Sequence, residues 1–318
     1  MPTRREFLAG STAALVGSAI GRGPAWAWMQ TAGTFTPIRR NVGHFTGRGG
    51  TIGHLVNADG VLVVDSQYPE YAAQCIAGLK EQSGGKPVDL LINTHHHGDH
   101  VAGNIAFRGV AKRVLAHETA AAHMRQPPGR QSQAGDQLYP DRTFTSVWRE
   151  QLGDEWVRAQ HHGRAHTSGD AIITFENANV AHMGDLVFNR RHPVIDRPAG
   201  ASIADWANVV DRAVADHERD TIFIFGHAGS GQPVVGSAGD LGHFAGYLRA
   251  LLEFVDGQRK AGRSREEIEA IRDPLPRFDD FGPLTAYVLG NAYGELAEGT
   301  GDAPTPAPRD HLDGLSMA

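Results

Sequence analysis

Four of the chain's 17 histidines fall within six residues, His95-His96-His97-Gly98-Asp99-His100. Along an extended backbone, residues two apart point the same way, so His95 and His97 can share one metal ion. Gly98 lets the chain turn sharply, which frees Asp99 and His100 to aim at a second position. All four offer nitrogen or oxygen donors of the kind zinc accepts in open catalytic sites. His96 points away from such a site. The single cysteine, Cys75, excludes an intrachain disulfide and a multi-thiolate cluster. It sits at core spacing on a helix face and reads as a small hydrophobe.

The histidine cluster needs a rigid mount, and the sequence supplies one. Val88 to Asn93 is a short buried strand running straight into it, and the carboxyl ends of strands are where open sheets place ligand sites. Upstream, Thr51 to Asn57 and Val61 to Asp65 form a hairpin about Ala58-Asp59-Gly60. Pro69 to Lys80 has helical spacing in Tyr71, Cys75, Ile76 and Leu79, and Ser83-Gly84-Gly85 ends it. Val110 to Ala116 reads as a strand, Glu118 to Met124 as a helix, and the Gln- and Gly-rich stretch from Gln126 to Asp136 as a surface loop. The second half repeats this logic. Val147 to His161 reads as two strands about Gly153-Asp154, and Ala171 to Glu176 pairs with Val180 to Met183. Ser202 and Asp205 make a capping box for a helix to about His217, and a strand follows from Thr221 to Phe225. Helices are then expected over Asp240 to Asp256, Ser264 to Ile271 and Pro283 to Glu298. Two β-rich halves, each trailed by helices, predict an α/β fold of two mixed sheets packed face to face with helices outside, an αββα sandwich.

With the hexapeptide in view, three further motifs complete a resemblance. Gly163-Arg164-Ala165-His166-Thr167-Ser168-Gly169-Asp170, Gly184-Asp185-Leu186-Val187-Phe188 and Gly226-His227-Ala228 follow it in order. The chain from about residue 40 to 298 thereby resembles the metallo-β-lactamase superfamily, although Ala228 stands where that pattern usually has glycine. The resemblance implies that one metal is held by His95, His97 and His166, and the other by Asp99, His100 and His227. Asp185 then lies between them, and Asp65 corresponds to a structural aspartate beside the metal loop. It further implies two zinc ions per chain, with iron or manganese as alternatives, and hydrolysis by water activated at that centre. On the same resemblance, Asp99 would both ligate a metal and orient the water. His117, His161, His162 and His182 read as surface or supporting groups, with His182 close enough in sequence to orient Asp185.

For the substrate, the resemblance points two ways. One group of β-lactamases carries cysteine where Asp185 stands and another carries serine, whereas thioesterases and lactonases of the glyoxalase type carry aspartate. A carbonyl ester, thioester, lactone or β-lactam is the expected class, with a phosphodiesterase or nuclease, or a non-hydrolytic iron protein, as the alternatives. Asn189-Arg190-Arg191-His192 follows Asp185 closely, so Arg190 and Arg191 are expected at the cleft rim, pairing with a substrate carboxylate.

The remaining sequence bounds the setting. The 318 residues are 41% hydrophobic and 21% charged, the balance of a folded globular protein. Arg4 and Arg5 precede an apolar run from Ala9 to Ile20 and then Ala25-Trp26-Ala27, which resembles a twin-arginine export signal over residues 1 to 27. That run is too short for a confident membrane span and no cysteine follows it, so no stable membrane anchor is expected. The implied partners are the twin-arginine export machinery and a small-molecule substrate, and the implied location is the periplasm. Residues 1 to 27 hold three arginines and one glutamate, so the net charge passes from −6 to −8 without them. That disfavours nucleic acid as a partner. The catalytic domain is expected over residues 34 to 298, followed by a disordered proline-rich tail over 299 to 318.

Overall fold

The computed structural model describes residues 32–126 and 136–298. The export signal, most of the expected loop at 126–136 and the expected tail lie outside the described residues.

A seven-stranded sheet is laid down almost in chain order. It comprises β1 (Thr34–Arg39), β2 (Val42–Thr46), β3 (Ile52–Val56), β4 (Val61–Val64), β5 (Leu90–Asn93), β6 (Val114–His117) and β7 (Arg142–Phe144). Helices α1 (Pro69–Gln82), α2 (Gly98–Val101) and α3 (Glu118–Met124) lie between its strands. The first four strands pair antiparallel and β4 to β7 parallel. Next come β8 (Val147–Leu152), β9 (Glu155–Gln160), β10 (Ile172–Phe175), β11 (Val180–His182), β12 (Phe188–Asn189), β13 (Ile222–Ile224), β14 (His227–Ala228) and β15 (Val235–Gly236). A second sheet orders them β15-β13-β11-β10-β9-β8, while β12 and β14 pair separately. The later helices are α4 (Ile203–Asp216), α5 (Ala238–Lys260), α6 (Arg265–Glu269) and α7 (Ala286–Glu298).

The apolar pattern sets the layers. All four residues of β4 are buried, as a strand covered on both faces requires. Leu62, Val64 and Ile92 meet Val157, Ile173 and Phe175 of the other sheet in the middle layer. Val61, Val63 and Leu91 turn the opposite way onto Tyr71, Cys75 and Leu79 of α1. On the far side, Ile172, Ala181 and Phe223 pack against Trp206 and Val210 of α4 and Phe244 and Leu248 of α5. The chain is therefore an αββα sandwich, as the two-halves reading predicts.

Several details differ from the sequence expectation. The β1–β2 hairpin turns through Arg40 and Asn41, both left-handed at φ 44° and 65°. That two-residue loop does the work usually done by Asn-Gly, so it carries no obvious turn signature. α5 starts at a Ser237/Asp240 capping box and runs to Lys260, longer than its apolar stripe suggests. At the start of α4, Ser202 accepts from the Asp205 amide at 3.2 Å. The carboxylate that receives the next free amides belongs to Glu295 of α7, 2.7 Å from Ile203 N and 2.9 Å from Ala204 N. α7 thus supplies part of a cap to a helix some ninety residues earlier.

Candidate metal centre

Asp65 is the hub on which the histidine loop is mounted. It is fully buried and left-handed at φ 64°, a conformation costly for a non-glycine residue and kept where surroundings demand it. Its carboxylate accepts from Thr94 N at 2.8 Å and Thr94 Oγ1 at 2.7 Å, and meets His100 Nδ1 at 2.7 Å. One side chain therefore fixes both ends of the loop that leaves β5.

Two clusters form above it. In the first, His95, His97, His166 and Asp185 bring their ligand atoms within 4.8 Å of one another. His97 Nδ1 and His166 Nε2 are 2.8 Å apart, and Asp185 Oδ2 lies 3.5 Å from His166 Nε2 and 3.8 Å from His95 Nε2. In the second, His227 Nε2 stands 3.0 Å from Asp99 Oδ2 and 3.4 Å from His100 Nε2. Asp185 Oδ1 is 3.0 Å from His100 Nε2 and 3.5 Å from His227 Nε2. Ligands about 2.0–2.2 Å from a zinc ion stand roughly 3–4 Å from each other, so both clusters have the span of a coordination shell. Two glycines make room for this crowding. A Cβ on Gly226 would fall 2.1 Å from Asp185 Oδ1, and one on Gly50 would fall 2.1 Å from the His100 ring.

The far nitrogens of the ligand histidines are also held. Thr94 Oγ1 lies 3.0 Å from His95 Nδ1, Asp196 Oδ2 2.9 Å from His97 Nε2, and the Val194 carbonyl 2.8 Å from His166 Nδ1. Together with Asp65 on His100, these contacts fix which nitrogen of each ring faces the cluster. His227 is instead stacked on Phe188, with centroids 5.3 Å apart. Asp170 ties down the loop that carries His166, accepting from Thr167 N and Oγ1 at 2.7 Å each.

The charge distribution suits cations. Burial, reinforced by neighbouring imidazoles, holds His95 well below its ordinary range and His166 at about 3, so both present neutral, ligating rings. At the second cluster burial acts in the same direction, but Asp185 and Asp99 outweigh it. His100 is raised well above its usual value and His227 to about 9. Burial would raise Asp99, yet His100 and His227 hold it at about 2, and Asp185 is likewise held well below the carboxylate range. His95 Nε2 is buried with no hydrogen-bond partner among the described residues, although it faces the first cluster. A buried polar atom without a partner is costly, and a divalent ion at that position would satisfy it. The residues present therefore fit divalent metal ions.

The structure thus gathers all seven ligand candidates, and it separates the two arginines. Arg190 Nε and Nη1 reach Asp280 at 3.1 Å, Asp240 at 2.7 Å and Asn189 Oδ1 at 2.6 Å, which draws its side chain into a surface ion-pair network. Both arginines nevertheless line the basin that adjoins the cleft, the rim position expected of them. Arg190 itself has a left-handed backbone, φ 51°. Arg191 does line the cleft that reaches His227. His96 points away from both clusters yet is buried, its ring 4.6 Å from that of His123 and its Nε2 3.7 Å from Asp196. His182 is fully buried and accepts from the Gly184 amide while contacting the Thr51 carbonyl at 2.9 Å, so it supports the turn before Asp185 without touching it. His117 and His161 stack on each other 3.9 Å apart, and His161 Nδ1 meets the Asp170 carbonyl at 2.7 Å.

Two contributors escape the sequence reading. Asp196 looks like a turn cap, which it also is, accepting from Ala199 N at 3.3 Å. Tyr287 of α7 brackets the residue before Asp196, its Oη 3.0 Å from Ile195 N and 2.9 Å from Ile195 O. Nothing local in the sequence links a helix near residue 287 to the metal loop.

A sandwich whose rim carries two adjoining histidine-carboxylate clusters defines a protein built to hold divalent metal. Residues 46–227, which contain all seven ligand candidates, match the family model of the metallo-beta-lactamase superfamily, and the chain belongs to that superfamily. Its members are generally metallo-hydrolases. The chain is 22% identical over 193 residues to the metallo-beta-lactamase type 2 of Bacillus sp. (strain 170), covering 60% of this chain and 72% of that one. It is 29% identical over 167 residues to the 2,4-dinitroanisole O-demethylase subunit alpha of Nocardioides sp. (strain JS1661), covering 52% of this chain and 49% of that one. Among solved structures it is similar to a metallo-beta-lactamase from Pontibacter korlensis, with TM-score 0.58, 18% identity, and 68% of this chain and 99% of that one covered. It is also similar to a double mutant of the sec-alkyl sulfatase PisA1, with TM-score 0.63, 15% identity, and 88% and 52% covered. Those structural likenesses show the fold.

Proposed function

We propose that this protein is a dinuclear zinc hydrolase acting on a carbonyl ester, thioester, lactone or β-lactam, exported by the twin-arginine pathway to work in the periplasm. The observation that carries the hydrolase reading is Asp185, whose two carboxylate oxygens face different clusters. Divalent ions held there would supply Lewis acidity, polarising the scissile bond and acidifying water toward neutral pH. The chain's own residues do the rest. Asp185 sets the spacing of the two positions. Thr94, Asp196, Val194 and Asp65 hold the ligand rings so that little reorganisation accompanies reaction. Asp99 is more exposed than Asp185, and its carboxylate can orient a water at the second cluster. An aspartate in place of the cysteine or serine of many β-lactamases favours a thioester or lactone over a β-lactam.

Elemental analysis of the purified protein after zinc reconstitution is the first test, and two ions per chain are expected. A hydrolysis screen should then include nitrocefin, S-lactoylglutathione and acyl-lactones, with bis(p-nitrophenyl) phosphate as the contrasting class. Turnover of a carbonyl substrate that is lost in His97→Ala, with the fold retained by circular dichroism, is the expected result. Turnover of the phosphodiester alone would overturn the substrate class, and one ion or none would overturn the dinuclear reading.

A further inference from the structure

His96 is the one histidine of the loop after β5 that neither cluster uses, and it is nine-tenths buried all the same. Its ring lies against that of His123, with centroids 4.6 Å apart and planes 30° apart, while His123 is itself held at Nε2 by Ser168 Oγ at 3.0 Å. The ring is therefore kept from swinging back toward α3. Neither of its nitrogens has a hydrogen bond among the described residues, for Nδ1 is enclosed without a partner and Nε2 stands 3.7 Å from Asp196 Oδ2. That separation is too long for a hydrogen bond. It suits two donors on one divalent ion, each about 2.0–2.2 Å from it. His97 Nε2 also faces Asp196, and the donor atoms of His96, His97 and Asp196 lie within 4.8 Å of one another.

Asp196 can serve both neighbours. Its Oδ2 accepts from His97 Nε2 at 2.9 Å and its Oδ1 from Ala199 N at 3.3 Å, which holds the carboxylate in place. The side chain keeps 13% of its surface exposed, so an ion can reach it from solvent. Charge sets the strength of such a site. Asp65, Asp99, Asp185 and Asp196 together offset two divalent ions, and a third finds no uncompensated carboxylate. Having few protein donors and repelled by the ion at the first cluster, it binds more weakly than either of the others.

We propose that His96 and Asp196 form a third divalent-metal site, filled only when metal is in excess, whose occupation weakens the hold of Asp196 on His97. A carboxylate on the outer nitrogen of a ligand imidazole raises its basicity. An ion on Asp196 withdraws that support, so the third position opposes the first and acts as a brake against surplus metal. The count of three rests on the two-ion reading above, whereas the site does not. Metal-free protein is dialysed to equilibrium against rising zinc, and bound metal is counted beside His96→Phe, which keeps a ring against His123 but offers no donor. The wild type should take up one ion more than the variant. In ¹⁵N-labelled wild type the His97 Nε2–H resonance should shift as the last ion binds, and in His96→Phe it should stay. Equal counts in the two proteins would overturn the site, because the surplus zinc would then sit on surface histidines. A wild-type resonance unmoved by the last ion would place that ion elsewhere and overturn the site as well, a result that needs no variant and so decides the matter should His96→Phe not fold. A difference of one ion on a lower total would overturn the dinuclear reading and leave the third site standing.

Discussion

Replacing Tyr287 by phenylalanine removes one oxygen from a helix that touches no ligand, yet it should weaken one metal position and spare the other. Tyr287 Oη brackets Ile195, accepting from its amide and donating to its carbonyl. The neighbours of Ile195 are Val194, whose carbonyl receives His166 Nδ1, and Asp196, which receives His97 Nε2. Both histidines serve the first cluster, whereas among the described residues Asp99, His100 and His227 make no hydrogen bond or ion pair with this segment. Each lost hydrogen bond costs about 0.5–1.5 kcal/mol net, and the tyrosine is half exposed, so water can partly replace the hydroxyl. The destabilisation should be about 1–2 kcal/mol, a fall in Tm of roughly 2–8 °C for a chain of this size. Loss of a group that directly orients a ligand costs roughly 10–100-fold in metal affinity. Tyr287 acts one residue removed, so about tenfold is expected at the first position alone. Competition titration with a chromophoric zinc chelator resolves the two binding steps. Equal weakening of both steps, or a drop in Tm with neither step moved, would refute the argument that α7 orients the first cluster.

Asp185→Asn leaves one carbonyl oxygen where two carboxylate oxygens stood, so metal content should fall from two ions to one, read by elemental analysis after gel filtration. His54 is buried with neither ring nitrogen hydrogen-bonded among the described residues, and burial with the nearby His44 holds it at about 4. Its folded value is lower than its unfolded one, so the stability tied to its neutral form is complete above pH 6.5 and is lost as the pH falls toward 4. The slope should approach about 1.4 kcal/mol per pH unit, for a total of roughly 3 kcal/mol. Urea denaturation of metal-free protein at pH 7 and 4.5 should show this loss reduced in His54→Leu, and an unchanged pH dependence would exclude His54 as a source. Replacing Arg4 and Arg5 together by lysine should trap the precursor in the cytoplasm, because the export pathway reads guanidinium groups. Unchanged periplasmic accumulation in a fractionation assay would rule that signal out.

The parts of the molecule legible in the sequence are those set by local pattern. The strand running into His95, the strand expected from Val61 and the helix expected from Ser264 each carry their signal within a few residues, and the structure places them accordingly. The β1–β2 hairpin was not legible, because Arg40 and Asn41 adopt left-handed angles without glycine. Asp196, Tyr287 and Glu295 were hidden for a different reason. Each acts on residues brought near only by folding, and an aspartate at a turn or a tyrosine on a helix looks the same whether or not a histidine waits beyond it. Arg190 and Arg191 show the limit most plainly. Two identical neighbours differ in their partners, because Asp240 and Asp280, distant in sequence, take up Arg190.

Neither metal position belongs to one half of the chain. His95 and His97 face His166, and Asp99 and His100 face His227, with Asp185 reaching both from the second half. The backbone is stitched across the same seam, Thr51 N to the Gly226 carbonyl and Ala171 N to the Thr94 carbonyl, at 2.9 Å each. Severing the chain between residues 126 and 136 would therefore yield two pieces, each holding an incomplete set of donors. An ion that binds only the reunited pair favours their union by about 4 kcal/mol at a thousandfold excess over its dissociation constant. The concentration of a divalent ion would then govern whether the fragments reassemble, so the metal would serve as a reversible staple in a split version of this protein.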